Sequence, residues 1–340
     1  MHVSASTRTP RYFALGASLR RTAGWGAMAA LVLALSVTTA CSSGESEPAV
    51  DVPEGWPTEV VLGLVPAREA NVLIDNAQEL EDFLEEALGV PVRSFVPQDY
   101  TGLVEAMGSG QAHIGLIPPF AAMLGKERFD FETVLVSVRK ESITYYSQWM
   151  TTDTSLCPEP PVRDEYGILT CEAPISVIEG KRVGFTDPAS TSGYLFPALQ
   201  LVDAGIDPDR DIQPIFLGGH DAAVIGVYNG DVEISVAYDG AQLTVAPEIP
   251  EVVDEVIVIH RSEPIPNDGV TLASNLPQDL RDAITQAFLD FSAGEADKPQ
   301  EERVLWQIYE IDGFEPYPPG FYDTVERAFT ELRDKIDAAS

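Results

Sequence analysis

The chain has few basic residues for its length, and this scarcity excludes a class of partners. Its 340 residues contain 21 lysines and arginines against 54 acidic residues, which gives a formal net charge of −33. Such a surface repels nucleic acids and anionic lipid headgroups, so we expect neither as a partner. The hydrophobic content of 45% still allows substantial cores, and the length favours two lobes over one.

Signatures of nucleotide binding and of serine hydrolysis are also missing. The chain has no G-K-[ST] phosphate-binding loop and no G-x-S-x-G nucleophile elbow. We therefore expect a non-enzymatic protein without cofactor or metal. The enzymatic alternative is an exported serine hydrolase that uses Ser190 or Ser192, with His220 as the only evident base.

Long apolar runs are absent except near the N-terminus. Residues 1–40 contain Arg20 and Arg21, then A-G-W-G-A-M-A-A-L-V-L-A-L-S-V-T-T-A, and no acidic residue. This order predicts a signal peptide, and Cys41 directly after it resembles the acylated cysteine of a bacterial lipobox. A transmembrane anchor is the alternative, but the run is short for a bilayer span. We expect an exported protein, lipid-anchored through Cys41 to the outer face of the bacterial cytoplasmic membrane.

Only two cysteines are left after Cys41, namely Cys157 and Cys171. In an oxidising compartment this pair predicts one disulfide. A metal site is disfavoured because no histidine lies near either cysteine. We expect the loop 157–171 to be a stapled surface excursion without chemistry.

The remaining chain alternates apolar runs with amphipathic segments, after a Ser-, Glu-, Pro- and Gly-rich stretch that predicts a flexible tether over 41–57. Alternation of this kind is typical of α/β lobes whose parallel sheets are covered by helices. Extended segments near residues 145 and 260 predict two crossovers. We expect residues 58–144 and 262–340 to form lobe 1, residues 145–261 to form lobe 2, and a cleft between them.

Three consecutive hydroxyl side chains stand where a strand turns into a helix. The segment T-D-P-A-S-T-S-G-Y-L-F-P places Ser190, Thr191 and Ser192 at the predicted helix entrance, followed by Gly193. A helix N-terminus offers unpaired N–H groups and partial positive charge, and hydroxyls add further donors. One hydroxyl would suffice as a helix cap, so three in succession favour a site for a phosphate-like oxyanion.

This segment and several others resemble the phosphate, phosphite and phosphonate substrate-binding proteins of ABC transporters. The others are D-Y-T-G-L-V-E-A-M-G, G-G-H-D-A-A-V-I-G-V-Y and S-E-P-I-P-N-D-G, in the same order. The resemblance extends from about residue 58 to 335. It implies a type II periplasmic-binding-protein fold with two crossing strands, an anion held between the lobes, ABC permease subunits as partners and no catalysis.

The resemblance also implies a set of ligand-binding residues, namely Tyr100, Tyr146, Ser190, Thr191, Ser192, His220, Asp239 and Asp268. Tyr145 is the alternative to Tyr146 at the first crossover. As a histidine, His220 titrates near neutrality, which predicts an affinity that depends on pH. The ligand would be phosphate, phosphite or a phosphonate, bound by a monomer. A binding or sensor protein for another small oxyanion is the alternative.

Two features bear on how that ligand would be selected. A carboxylate only accepts hydrogen bonds, so Asp239 or Asp268 would require a proton or an ammonium group on the ligand. For Asp239, a solvated helix cap is an equal alternative. No cluster of lysines or arginines accompanies the motifs in sequence. This absence fits recognition by neutral donors and helix dipoles.

Overall fold

The computed structural model describes residues 52–339, which form a mixed α/β structure around two large sheets. The predicted signal peptide, Cys41 and the first part of the predicted tether lie outside the described residues. Within residues 52–339, no helix is both long enough and apolar enough to cross a membrane.

The first sheet has six strands in the order β15-β4-β14-β3-β1-β2. Strands β1, β2 and β3 are parallel, whereas β14 runs antiparallel to both β3 and β4. Helices α1, α2, α3, α8 and α9 accompany it in the chain. The bounds are β1 Val60–Leu64, α1 Ala70–Leu88, β2 Val92–Phe95, α2 Tyr100–Gly108, β3 Ile114–Ile117, α3 Pro119–Phe129, β4 Glu132–Val138, β14 Gly269–Leu272, α8 Gln278–Glu295, α9 Val304–Tyr309 and β15 Gly313–Pro316.

The second sheet has seven strands in the order β10-β9-β11-β6-β12-β8-β7. Strands β9, β10 and β11 are parallel, and β6 lies antiparallel between β11 and β12. The bounds are β6 Ser147–Thr151, β7 Val162–Arg163, β8 Leu169–Thr170, β9 Arg182–Phe185, α4 Phe196–Asp203, β10 Gln213–Phe216, α5 His220–Tyr228, β11 Ile234–Tyr238, α6 Ala241–Val245, α7 Val252–Glu255 and β12 Ile257–Arg261.

A short antiparallel pair, β5 Thr144–Tyr145 with β13 Ile265–Pro266, lies in the chain between the two large sheets. We call the structure around the first sheet lobe 1 and that around the second sheet lobe 2. Every strand of the first sheet falls within the predicted ranges 58–144 and 262–340, and every strand of the second within 145–261. The α/β, two-sheet architecture is confirmed, while the lobe boundaries stay a prediction.

Local sequence explains the elements that support the cleft. Helix α1 buries one apolar stripe, including Leu73 and Leu80, and ends where Gly89 adopts a left-handed φ of 68°. Helix α2 is capped by Asp99, whose carboxylate accepts a hydrogen bond from the Gly102 N–H at 2.6 Å. The predicted disulfide between Cys157 and Cys171 is confirmed.

The C-terminal helix α10, Asp323–Ala339, packs against elements of both lobes. Its Val325 and Leu332 share an apolar cluster with Phe120 of α3 and Leu195 before α4. Burial of such side chains contributes about 1.5–3 kcal/mol each. This cluster therefore stabilises the contact between the lobes away from the cleft.

The entrance of the hydroxyl-rich helix is a π-helical turn, Thr191–Leu195, that continues into α4. The Thr186 N–H donates to the Gly193 carbonyl at 3.2 Å, so the end of β9 lies directly on this turn. A Cβ on Gly193 would lie 1.8 Å from Thr186 Oγ1 and 2.8 Å from Ser190 Oγ. Only glycine fits this close approach.

We predict that Gly193→Ala lowers the free energy of unfolding by about 1–3 kcal/mol, because the added methyl must displace the buried side chains of Thr186 and Ser190. Gly294→Ala is the matched control, since a Cβ there meets nothing within 4 Å on the exposed side of α8. That control should be neutral or stabilising by up to about 1 kcal/mol. Urea denaturation of both variants checks this. Equal stabilities would show that the turn does not need glycine.

Candidate functional site

One cavity of about 330 Å³ lies at the edge where the carboxyl ends of the strands of both sheets meet. In open α/β sheets, ligands bind at this edge. Seven of the eight predicted ligand-binding residues line it, namely Tyr100, Tyr146, Ser190, Ser192, His220, Asp239 and Asp268. Their role in binding stays a prediction.

Thr191, the eighth predicted residue, is directed elsewhere. Its Oγ1 accepts a hydrogen bond at 3.0 Å from the backbone N–H of Phe120 in lobe 1. Ser190 is the extended residue before the π-helical turn and Thr191 is the first residue within it, so their side chains leave the backbone in different directions. Thr191 therefore joins the lobes instead of lining the cavity.

The two serines lie in the cavity wall with defined partners. Ser190 Oγ accepts from the Gly193 N–H at 3.0 Å, which caps the helix and leaves the hydroxyl proton available to a second acceptor. The Ser192 side chain is hydrogen-bonded to the phenol of Tyr145. The cap and the ligand-site interpretations are thus compatible for Ser190.

His220 is oriented by a backbone contact that fixes its tautomer. The Tyr238 N–H donates to Nδ1 at 3.3 Å, so in the neutral ring the proton sits on Nε2. Burial lowers the pKa of His220 to about 4, with Arg139 and Arg68 acting in the same direction and Asp268 opposing them. The prediction that His220 titrates near neutrality is therefore wrong for the folded protein without ligand.

The tyrosines of the first crossover differ in environment. Tyr145 contacts Ser192, and burial raises its pKa above the ordinary value of a phenol. Tyr146 is 40% exposed, and its backbone pairs with Asp239, whose carboxylate accepts from the Tyr146 N–H at 2.9 Å. Burial raises the pKa of Tyr100 as well. Tyr100 and Tyr145 are thus protonated donors at neutral pH.

Basic residues also line the cavity, although no cluster of lysines or arginines accompanies the motifs in sequence. Arg139 donates to Asp268 at 2.8 Å, and Arg68 donates to Glu310 at 3.1 Å. Lys140 is the third cation of the lining. Sequence inspection missed them because they follow β1 and β4, far from the hydroxyl and histidine motifs. The rule that ligands bind at the carboxyl ends of strands would have located Arg68 and Arg139.

The disulfide loop was expected to carry no chemistry, but one of its residues reaches the cavity. Tyr166 lies in the cavity wall, and Lys140 Nζ stands 4.3 Å from the centre of its ring. Asp164 of the same loop pairs with Arg261 at 2.9 Å. The loop therefore forms part of the cavity mouth.

The arrangement suits binding better than hydrolysis. A serine nucleophile needs a histidine base within hydrogen-bond reach, yet the Ser192 hydroxyl bonds to Tyr145 and His220 Nδ1 is taken by the Tyr238 backbone. Within the described range, no group of histidine, cysteine and acidic side chains could hold a metal ion. The cavity offers convergent hydroxyl, phenol and imidazole donors instead.

Comparison with known proteins agrees with this chemistry. The phosphate-import protein PhnD of Mycolicibacterium smegmatis is 30% identical over 224 residues, which are 63% of this chain and 64% of the relative. The phosphonates-binding periplasmic protein of Escherichia coli is 24% identical over 224 residues, 66% of this chain and 63% of the relative. The aligned region thus spans less than two thirds of the length of either relative.

Solved structures share the fold at low sequence identity. A binding protein component of an ABC phosphonate transporter from Pseudomonas aeruginosa superposes with a TM-score of 0.69, at 18% identity, over 83% of this chain and 89% of its own. PhnD1 of Prochlorococcus marinus, solved in complex with methylphosphonate, gives a TM-score of 0.66 at 14% identity, over 82% of this chain and 99% of its own.

The family of this chain follows from a match over most of its length. Residues 62–319 match the model of the ABC transporter, phosphonate, periplasmic substrate-binding protein family. Its members are substrate-binding proteins of importers and not enzymes. The chain belongs to the family of phosphonate-type periplasmic substrate-binding proteins of ABC transporters.

Proposed function

We propose that this protein binds phosphate, phosphite or a phosphonate in the cavity between its lobes and delivers it to the permease subunits of an ABC importer. One observation carries the proposal: hydrogen-bond donors from both lobes line the same cavity. We call the part formed by Tyr100, Tyr145, Ser190, Ser192 and His220 the oxyanion end. Donors fixed in a water-poor site bind an anion without reorganising.

Each donor has a protonation state suited to an anion. Neutral His220 can donate a hydrogen bond from Nε2–H to a ligand oxygen. The protonated phenols of Tyr100 and Tyr145 can donate in the same way. The helix that begins with the turn Thr191–Leu195 adds a partial positive charge. We infer that Tyr145, rather than the more exposed Tyr146, contacts the oxyanion.

The carboxylates of the cavity take a modified role in this proposal. Asp268 is already paired with Arg139, so it does not by itself require an ammonium group on the ligand. Together, the pair offers an acceptor for a protonated ligand oxygen and a donor for an ionised one. Asp239, which is hydrogen-bonded to the Tyr146 backbone, stays within reach of a ligand substituent.

Export and anchoring complete the proposal. A signal peptide over 1–40, acylation of Cys41 and a tether over 41–57 would hold a monomer at the outer face of the cytoplasmic membrane, beside its permease. This part rests on the sequence pattern and on the family, whose members serve importers.

We predict measurable heat on calorimetric titration with at least one of phosphate, phosphite, methylphosphonate and 2-aminoethylphosphonate. His220→Ala should weaken that binding at least tenfold, because one charge-assisted hydrogen bond is lost, equivalent to about 1.4 kcal/mol or more. His260→Ala is the matched control, since His260 lies in β12 of the same lobe and outside the cavity lining. Silence with all four ligands on folded protein would refute the ligand class.

The buried state of His220 also predicts how stability depends on pH. In the unfolded chain its pKa is near 6.5, and in the fold it is about 4, so the unfolded state binds the extra proton between these values. Stability is thus retained above pH 6.5 and lost as pH falls toward 4. Between pH 6.5 and 4.5, without ligand, the free energy of unfolding of His220→Gln should fall by about 2 kcal/mol less than that of the wild type. Urea midpoints with identical pH dependence would contradict the buried, neutral state.

A further inference from the structure

The cavity is larger than a small phosphorus oxyanion requires. Its volume of about 330 Å³ falls within the range of roughly 300–1,000 Å³ that is typical of sites for small organic molecules. A tetrahedral oxyanion has five heavy atoms and would fill only part of this space at the oxyanion end. A second group of lining residues, which we call the outer compartment, consists of Arg68 with its partner Glu310, Lys140 with its contact Tyr166, and Asp239.

Arg68 and Glu310 form a fixed ion pair in this outer compartment. Besides the 3.1 Å contact between them, Arg68 Nη1 donates to the Gln307 carbonyl at 3.0 Å. Their side chains are only 18% and 20% exposed, so bulk water competes weakly with a ligand for them. Glu310 itself adopts a left-handed φ of 56° where α9 ends. The pair therefore presents N–H donors and carboxylate acceptors side by side, in one orientation.

Aromatic faces cover the mouth of the same compartment. Tyr166 of the disulfide loop is 49% exposed and Tyr146 is 40% exposed, although both line the cavity. The loop is held by its disulfide and by Asp164, which accepts from the Tyr166 N–H at 3.0 Å and pairs with Arg261. Lys140 of lobe 1 contacts the Tyr166 ring across the cleft. These rings could pack on the C–H faces of an organic group.

The charges of the outer compartment indicate what kind of group it suits. Its two cations, Arg68 and Lys140, are matched by two carboxylates, Asp239 and Glu310. An ammonium substituent would be repelled by the two cations, and a second anionic group would be repelled by the two carboxylates. A hydroxyl group both donates and accepts, so it can satisfy a guanidinium and a carboxylate that stand together. Adjacent hydroxyls on a short carbon chain fit the pair best.

We propose that the outer compartment is a subsite for a hydroxylated organic substituent. The preferred ligand is then a phosphonate or phosphate monoester that carries a polyol-like chain, with its phosphorus group at the oxyanion end. This inference rests on the proposed function and specifies its substrate class. A ligand hydroxyl can add hydrogen bonds to the guanidinium and to the carboxylate, which an alkyl substituent cannot make.

The test compares ligands that share one head group. Calorimetry of the wild-type protein with 2,3-dihydroxypropylphosphonate, propylphosphonate, 2-aminoethylphosphonate and methylphosphonate should show the dihydroxy compound binding at least tenfold more tightly than the others. If propylphosphonate or 2-aminoethylphosphonate binds as tightly, the subsite is overturned while the proposed function stands. Failure of all phosphorus compounds, inorganic phosphate and phosphite included, overturns the proposed function itself.

Two variants locate the effect in the outer compartment. The double variant Arg68→Gln/Glu310→Gln removes both charges together, and should weaken dihydroxypropylphosphonate at least tenfold but methylphosphonate less than threefold. Tyr166→Ala should show the same selective loss, whereas Val162→Ala, an exposed residue of the same loop outside the cavity lining, should bind like wild type. If both cavity variants fold but weaken the binding of all ligands equally, or of none, the outer compartment does not recognise the substituent.

Discussion

Hydrogen bonds between the lobes hold the two halves of the cavity in register, and the proposed chemistry depends on them. The buried carboxylate of Asp187 in lobe 2 accepts from the Tyr100 N–H of lobe 1 at 3.2 Å. Thr191 accepts from Phe120 N–H at 3.0 Å, and the His220 N–H donates to the Ala67 carbonyl at 3.0 Å. All three contacts involve a residue of a binding motif or its immediate neighbour. These contacts therefore place the donors of both lobes around one volume.

A protein with a net charge of −33 can hold an anion because its cavity has a charge balance of its own. Exposed acidic side chains are screened over about 8 Å at physiological salt, whereas buried partners are screened much less. Inside the cavity, Arg139 with Asp268 and Arg68 with Glu310 form pairs with little exposure. A pair of this kind contributes directed donors and acceptors rather than net charge. The charge of the ligand is then met by hydroxyl, phenol and imidazole donors and by the helix terminus.

Several features of the fold and site were accessible from the sequence because local rules determine them. Gly89 and Asp99 mark helix ends through left-handed backbone and capping, and the pair Cys157 and Cys171 follows from cysteine count and export. The turn from β9 to the helix at Ser190 is likewise local. By contrast, helix α3 was not predicted, since Pro119–Met123 are all buried and leave no polar face to show helical periodicity.

The missing part of the site depends on contacts between distant segments. Arg68 meets Glu310 across 242 residues, and Arg139 meets Asp268 across 129, so no motif joins them in sequence. Thr191 accepts from the Phe120 N–H across 71 residues, a contact that three adjacent hydroxyls do not reveal. The low pKa of His220 follows from burial between the lobes, which the sequence around the residue does not reveal.

A crystal structure with methylphosphonate tests the central claim most directly, because it locates the oxyanion. The account predicts phosphonate oxygens within hydrogen-bond distance of Ser190 Oγ, Ser192 Oγ, the phenols of Tyr100 and Tyr145, and His220 Nε2. The methyl group of the ligand should point toward Arg68 and Tyr166. A phosphonate bound away from His220 Nε2 and both serines, or oriented with its methyl group against them, would contradict it.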